Sequence, residues 1–160
     1  ENVILKDIKI NKTKHKIIRL SSAFGFPFWN ESKETFNLII NSLCRQAIEE
    51  KKMIIKDPST LRDFFPVRIF DKVNKYLFEE KKNKIYNFGY KTFLLIDIAK
   101  IVQKKCFKFF KFYPKIVVRP FKKKKKLPKY ESKYFLIKKK NIELKNEISN
   151  LLKLIHNNAK

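Results

Sequence analysis

Apolar positions in this chain follow two spacings in turn, and these predict strands that alternate with helices. Short aliphatic or aromatic runs predict strands at 16–20, 53–56, 64–65, 84–88 and 115–119. Apolar residues three and four positions apart predict helices at 1–10, 33–50, 67–80, from 92 onward, 131–137 and 142–156. This alternation indicates an α/β fold.

Four segments carry more specific expectations. The aliphatic residues of 16–20 do not alternate with polar ones, so we expect a strand buried on both faces, as in a parallel sheet. The stretch 21–32 is expected to be a long loop. In the helix 33–50, the spacing places Asn41 on the face away from the core. Thr92 is expected to cap the helix that follows it.

Charge alone leaves two hypotheses open. The net charge is +24, and almost all of the positive residues are lysines. One hypothesis is a basic module that binds RNA or another polyanion through Lys122–Lys126 and Lys138–Lys140. The other is a compositional bias towards lysine with no specific nucleic-acid partner, because dedicated nucleic-acid binders usually concentrate arginine. A hydrophobic content of 44% excludes a disordered basic tail.

The remaining chemistry-bearing residues are sparse. Cys44 and Cys106 have no paired spacing, so we expect buried thiols and neither a disulfide framework nor a metal site. His15 and His156 are isolated in the sequence and are not expected to be catalytic. No apolar run approaches the roughly 18 residues of a membrane span, so we expect a cytoplasmic protein without a membrane partner.

Several short motifs follow one another along the chain in an order that is informative. They are Arg19-Leu-Ser-Ser-Ala-Phe-Gly-Phe-Pro27, the helix Phe36–Ala47, Arg62-Asp-Phe-Phe-Pro-Val67, Ile85-Tyr-Asn-Phe-Gly89 with Leu94–Ala99, and Pro128–Leu136. In this order they resemble the C-terminal half of the extended short-chain dehydrogenase/reductases, the NAD(P)-dependent epimerase/dehydratase family. The resemblance covers nearly the whole chain.

The resemblance implies a fold and a division into domains. The fold would comprise the last strands and helices of a Rossmann-type parallel sheet, plus the small α/β substrate-binding domain of such an enzyme. Residues 1–32 and 67–91 would be the remainder of the nucleotide-binding domain. Residues 33–66 and 92–160 would form the substrate-binding domain.

The resemblance also implies a function for the full-length protein, namely the epimerisation, dehydration or reduction of a nucleotide sugar with NAD or NADP. The missing N-terminal half would bind most of the cofactor through a glycine-rich loop and would supply a catalytic Tyr-x-x-x-Lys pair. The two glycines of this chain, Gly25 and Gly89, are too far apart for that loop. Tyr134–Lys138 matches the pair literally but lies too late in the order, and we interpret it as coincidence.

The chain, which starts at Glu1 without methionine, is therefore expected to be a fragment that is inactive alone and has no catalytic residue. A decayed gene product is a further alternative. The full-length protein could form a homodimer, as many members of the family do.

By the same resemblance, this chain would supply substrate-binding residues. Arg62 would hold the diphosphate, with Ser22 and Asn37 as further substrate contacts, and Ser21 and Ser22 would also touch the cofactor. The family commonly has asparagine where Ser22 stands. The alternative for Arg62 is a surface arginine or an ion pair with Asp63.

Overall fold

The computed structural model describes most of the chain. The described residues are 3–4, 6–7, 15–25, 38–79, 85–119 and 142–158. Several features of the sequence lie outside them, namely Asn37, the lysine runs Lys122–Lys126 and Lys138–Lys140, the Tyr134–Lys138 match and the helix expected at 131–137.

Strands and helices alternate in the described residues, which confirms the α/β class. The strands are β1 (Ile17–Leu20), β2 (Ser22–Phe24), β3 (Lys52–Ile55), β4 (Leu61–Pro66), β5 (Ile85–Phe88), β6 (Lys91–Leu94) and β7 (Lys115–Val118). The α-helices are α1 (Ile39–Glu49), α2 (Phe70–Glu79, after a 3-10 turn at Val67–Ile69), α3 (Leu95–Phe110) and α4 (Ile142–Asn158).

The described strands form three small sheets with mainly parallel pairing. β1 pairs with β5, and β3 pairs with β7, both in parallel. β4 is the centre of the third sheet, where it pairs in parallel with β2 and antiparallel with β6. β2 begins one residue after β1 ends, so Ser21, between the two strands, lies close to β4 and bonds Asp63.

One apolar core joins these sheets to the helices. The apolar stripes predicted for α1, α3 and α4 are buried in it. The buried members of these stripes are Ile40, Leu43 and Ala47 of α1; Ile98, Ala99, Val102 and Cys106 of α3; and Leu144, Ile148, Leu151, Leu152 and Ile155 of α4, whereas Ile39 and Leu95 are partly buried. The helical spacing therefore predicted the packing of all three helices correctly.

Two local predictions are wrong because short strands form through distant pairing. Residues 22–24 were expected in a loop, but they pair in parallel with Phe64, Phe65 and Pro66 of β4. Thr92 was expected to cap a helix, but it lies in β6 opposite Asp63. The helix begins three residues later, where the Leu95 N–H donates to the Thr60 carbonyl at 3.2 Å.

Two burial predictions are also wrong. Asn41 was expected on the outer face of its helix, but it is fully buried because it binds the backbone of Gly25. β1 was expected to be buried on both faces, but Leu20 is 37% exposed. Among the described strands, β1 pairs with β5 alone, and its other edge has no described neighbour.

Candidate functional site

The ends of β1 and β2 and the middle of β4 enclose a pocket of about 400 Å³. Ser21, Ser22 and Ala23 form one wall, and Arg62 and Phe64 contribute from β4. Residues at the start of α1 complete the lining. The structure thus brings together three of the four predicted site residues, Ser21, Ser22 and Arg62. The fourth, Asn37, lies outside the described part of the chain.

Arg62 and Asp63 lie on opposite faces of β4, as alternation along a strand requires. The Asp63 carboxylate is buried, and its Oδ1 accepts hydrogen bonds from Ser21 Oγ at 2.6 Å and from the Tyr90 N–H at 2.7 Å. Arg62 is exposed and makes no ion pair with any described carboxylate. The alternative of an Arg62–Asp63 ion pair is therefore wrong, and the guanidinium is left facing the pocket.

The two serines differ in what they can offer a ligand. Ser21 Oγ already donates its proton to Asp63, so towards a ligand it can act only as an acceptor. Ser22 Oγ has no hydrogen-bond partner among the described residues and can both donate and accept. Of the two, Ser22 is the better placed to contact a bound hydroxyl group.

A buried polar cluster fixes the chain where it leaves β2. Asn41 of α1 donates to the Gly25 carbonyl at 3.1 Å and accepts from the Gly25 N–H at 3.3 Å. Gly25 has a φ of +143°, and an added Cβ would lie 2.5 Å from Glu147 Oε1. The buried Glu147 in turn accepts from Arg68 Nε at 3.0 Å. Only glycine fits this conformation and this space. The contacts of Gly25 therefore fix the position of the chain directly after the pocket wall Ser21–Phe24.

Beside the pocket lies a wider groove of about 540 Å³, which shares Arg62 and Ile39 with it. Its other polar lining residues are Ser42 and Gln46 of α1 and Lys56, Asp57 and Thr60 of the turn between β3 and β4. Sequence reasoning did not identify this groove. Lys56 directly follows β3, and the rule that ligands lie beyond the ends of parallel strands could have indicated it.

Neither cysteine is activated as a nucleophile. Burial raises the pKa of the Cys44 thiol well above its ordinary value, and it raises that of Cys106 to about 12. Both cysteines are buried and free, as expected, and at neutral pH they stay protonated. Within the described ranges, no group of histidine, cysteine and carboxylate side chains could hold a metal ion. No helix in those ranges has the length and apolar character needed to cross a membrane.

Comparison with solved structures identifies the fold. The chain is similar to the UDP-N-acetylglucosamine 4-epimerase of Methanobrevibacter ruminantium in complex with UDP-N-acetylmuramic acid (TM-score 0.75, 15% identity, 99% of this chain and 51% of that one). It is also similar to RMD of Pseudomonas aeruginosa complexed with NADPH (TM-score 0.72, 12% identity, 98% and 52%). A third similar structure is the dTDP-glucose 4,6-dehydratase of Bacillus anthracis in complex with NAD (TM-score 0.66, 15% identity, 98% and 49%).

The sequence matches no family model and no curated protein. The chain spans about half the length of the solved structures to which it is similar. At this level of identity the comparison establishes the fold, and it confirms the structural part of the resemblance. The chain has the Rossmann-like α/β fold of about half of an NAD(P)-dependent epimerase/dehydratase of the extended short-chain dehydrogenase/reductase type.

Proposed function

We propose that this chain is the C-terminal, substrate-recognising part of an NAD(P)-dependent nucleotide-sugar epimerase, dehydratase or reductase. The observation that carries the proposal is the pocket at the ends of β1 and β2, where the exposed Arg62 has no ion pair with a described carboxylate. The names of similar structures support it, since one is an epimerase with a UDP-sugar and another a sugar-nucleotide dehydratase with NAD.

Each residue of the proposed site has a chemical role. The planar guanidinium of Arg62 can hold a diphosphate through two charge-assisted hydrogen bonds. The Ser22 hydroxyl can contact the sugar or the nicotinamide end of the cofactor, where the larger asparagine of the family would reach further. Asn37 is proposed as a further substrate contact on the strength of the sequence alone.

NAD or NADP would be held mainly by residues outside this chain. The cofactor, when bound, would accept or donate a hydride. The phosphates of a dinucleotide are commonly bound by backbone N–H groups at a glycine-rich turn. The N–H of Gly25 instead donates to Asn41, and Glu147 fills the space beside its Cα. Ser21 and Ser22 can offer hydroxyl contacts at the edge of the cofactor. The division into two domains at residues 33, 67 and 92 remains part of this proposal.

The test is a calorimetric titration that measures the affinity of the chain for UDP and for dTDP. Arg62→Gln should lower the affinity for the more tightly bound nucleotide about tenfold to a hundredfold, because one or two hydrogen bonds to charged groups are lost. Arg45→Gln is the matched control, since Arg45 is paired with Glu49 at 3.9 Å on the outside of α1. Failure of the unaltered chain to bind either nucleotide, or equal binding by Arg62→Gln, would contradict the proposal.

Polyanion binding is the second candidate, and a cluster of lysines between α3 and α4 favours it. Lys105 and Lys153 lie 5.7 and 4.8 Å from the centre of the Phe109 ring. Partial burial, followed by the positive charges of Lys108, Lys145 and Lys153, lowers the pKa of Lys105. An anionic partner would relieve this repulsion, and its affinity would fall steeply with salt.

A further inference from the structure

The wider groove contains two cations that form no ion pair with a described carboxylate. Lys56 and Arg62 both line it and both are exposed. Neither forms an ion pair with a carboxylate of the described residues. Lys52 Nζ, four positions earlier, does have a partner and lies 3.4 Å from Glu50 Oε2. What distinguishes Lys56 is its place beside Arg62 in the lining of the groove.

The carboxylate of the groove, Asp57, is engaged in shaping the turn that follows Lys56. Its Oδ1 accepts from the Ser59 N–H at 3.1 Å and from Ser59 Oγ at 2.7 Å. Its Oδ2 accepts from Thr60 Oγ1 at 2.8 Å. These bonds fix an Asx turn and turn the carboxylate inward to its own loop. Asp57 thus holds the turn in shape through neutral donors of its own loop and forms no ion pair with Lys56.

The amide of the groove is engaged as well. Gln46 Oε1 accepts from the Ile54 N–H at 2.9 Å, and Gln46 Nε2 donates to Ser42 Oγ at 3.1 Å. The polar groups of the groove that remain available to a ligand are consequently dominated by two positive charges. An occupant should carry negative charge at two places, one near each cation.

We infer that Lys56 is a second anion-binding residue of this site, and that together with Arg62 it selects ligands with two adjacent negative charges, a diphosphate, over a monophosphate. The inference rests on the proposed function for the role of Arg62. Arg62 would supply a directional fork and Lys56 a compact point charge on the opposite end of the anion. Because both side chains are exposed, the selectivity should weaken as salt rises.

Inorganic pyrophosphate and orthophosphate are the probes, because they test the charge requirement without assuming a nucleobase or sugar. The intact chain and three variants, Lys56→Gln, Arg62→Gln and Lys52→Gln, are titrated by calorimetry at about 0.15 M salt. Lys52→Gln is the matched control, since it makes the same change of charge at a lysine that already has a partner. Thermal unfolding of each variant confirms that the fold is retained.

Lys56→Gln and Arg62→Gln should each lower the affinity for pyrophosphate about tenfold and the affinity for orthophosphate less. The affinities of Lys52→Gln should stay within about twofold of those of the unaltered chain. If Lys56→Gln binds pyrophosphate as Lys52→Gln does, Lys56 is not part of the site. A loss in Arg62→Gln alone would then leave the proposed function standing. If the unaltered chain binds pyrophosphate no more tightly than orthophosphate, the selection for a diphosphate is refuted.

Discussion

Arg62 and Asp63 are neighbours in β4, but their side chains lie on opposite faces of the strand and differ in every contact. Asp63 is buried and accepts two short hydrogen bonds, from the end of β1 and from the turn after β5. Arg62 is exposed, lines both the pocket and the groove, and has no ion pair with a described carboxylate. One face of the strand joins the sheets, and the other is available to a ligand.

This difference separates a polar group that stabilises the fold from one that we propose to bind a ligand. A buried carboxylate with satisfied hydrogen bonds stabilises the fold, and it costs much to remove because its donors are left without partners. An exposed guanidinium without an ion pair contributes little to stability. Substitutions on the Asp63 face should therefore change the free energy of unfolding, whereas those on the Arg62 face should change ligand affinity.

The largest effect on stability is expected for Asp63→Ala. The Tyr90 N–H would remain buried without an acceptor and the link to Ser21 would be lost, so the free energy of unfolding should fall by about 2–4 kcal/mol. Urea denaturation followed by circular dichroism measures it. Ser21→Ala removes only one of the two bonds and should cost about 1 kcal/mol. Equal losses in the two variants would show that Asp63 does not join the two segments.

A smaller effect is expected for Tyr90→Phe. The Tyr90 hydroxyl donates to Glu143 Oε2 at 2.7 Å, and its loss should lower the free energy of unfolding by about 1 kcal/mol at neutral pH. Burial, followed by the hydrogen bond and the charge of Glu143, raises the pKa of Tyr90.

The raised pKa of Tyr90 gives a signed pH dependence. Because the folded chain resists ionisation of this phenol, the contribution of Tyr90 is fully present below the unfolded pKa of about 10 and is lost as pH rises beyond it. Urea titrations between pH 8 and pH 11 should show a steeper alkaline loss of stability in the unaltered chain than in Tyr90→Phe. Parallel curves would mean that Tyr90 ionises equally well in both states.

The smallest effect is expected far from β4, for Lys105→Gln. Like charges one helical turn apart, as at Lys105 and Lys108, cost about 0.2–0.5 kcal/mol, so this variant should be slightly more stable at low salt. Added salt should remove the gain, because these charges are largely exposed. Thermal unfolding at two salt concentrations measures it, and Lys72→Gln on the exposed face of α2 is a control. A gain that persists in high salt would have to come from packing instead.

Local periodicity was enough to predict helices α1 to α4 and most of the described strands, because each apolar stripe is encoded within its own segment. The errors involve residues whose conformation depends on distant partners. Asn41 was misplaced because its partner is the Gly25 backbone, and Thr92 because it pairs with a strand some thirty positions earlier.

The candidate site was predicted only in part for the same reason. Arg62 was identified from a motif, but the strand was expected to begin at Phe64, two residues too late to place Arg62 and Asp63 on opposite faces. Lys56, the second anion-binding residue that we propose, was not identified because nothing in the neighbouring sequence shows that Asp57 accepts from Ser59 and Thr60. Contacts decide which charged residue is left for a ligand, and those contacts require the fold.

The most direct test of the account is the affinity of Arg62→Gln for UDP or dTDP, whichever binds the unaltered chain more tightly, with urea unfolding of the same sample. The account predicts an affinity loss of about tenfold or more and a change in unfolding free energy within about 0.5 kcal/mol. Unchanged affinity together with a loss of stability similar to that of Asp63→Ala would contradict it. That result would make Arg62 a structural residue and remove the ligand-binding face of β4.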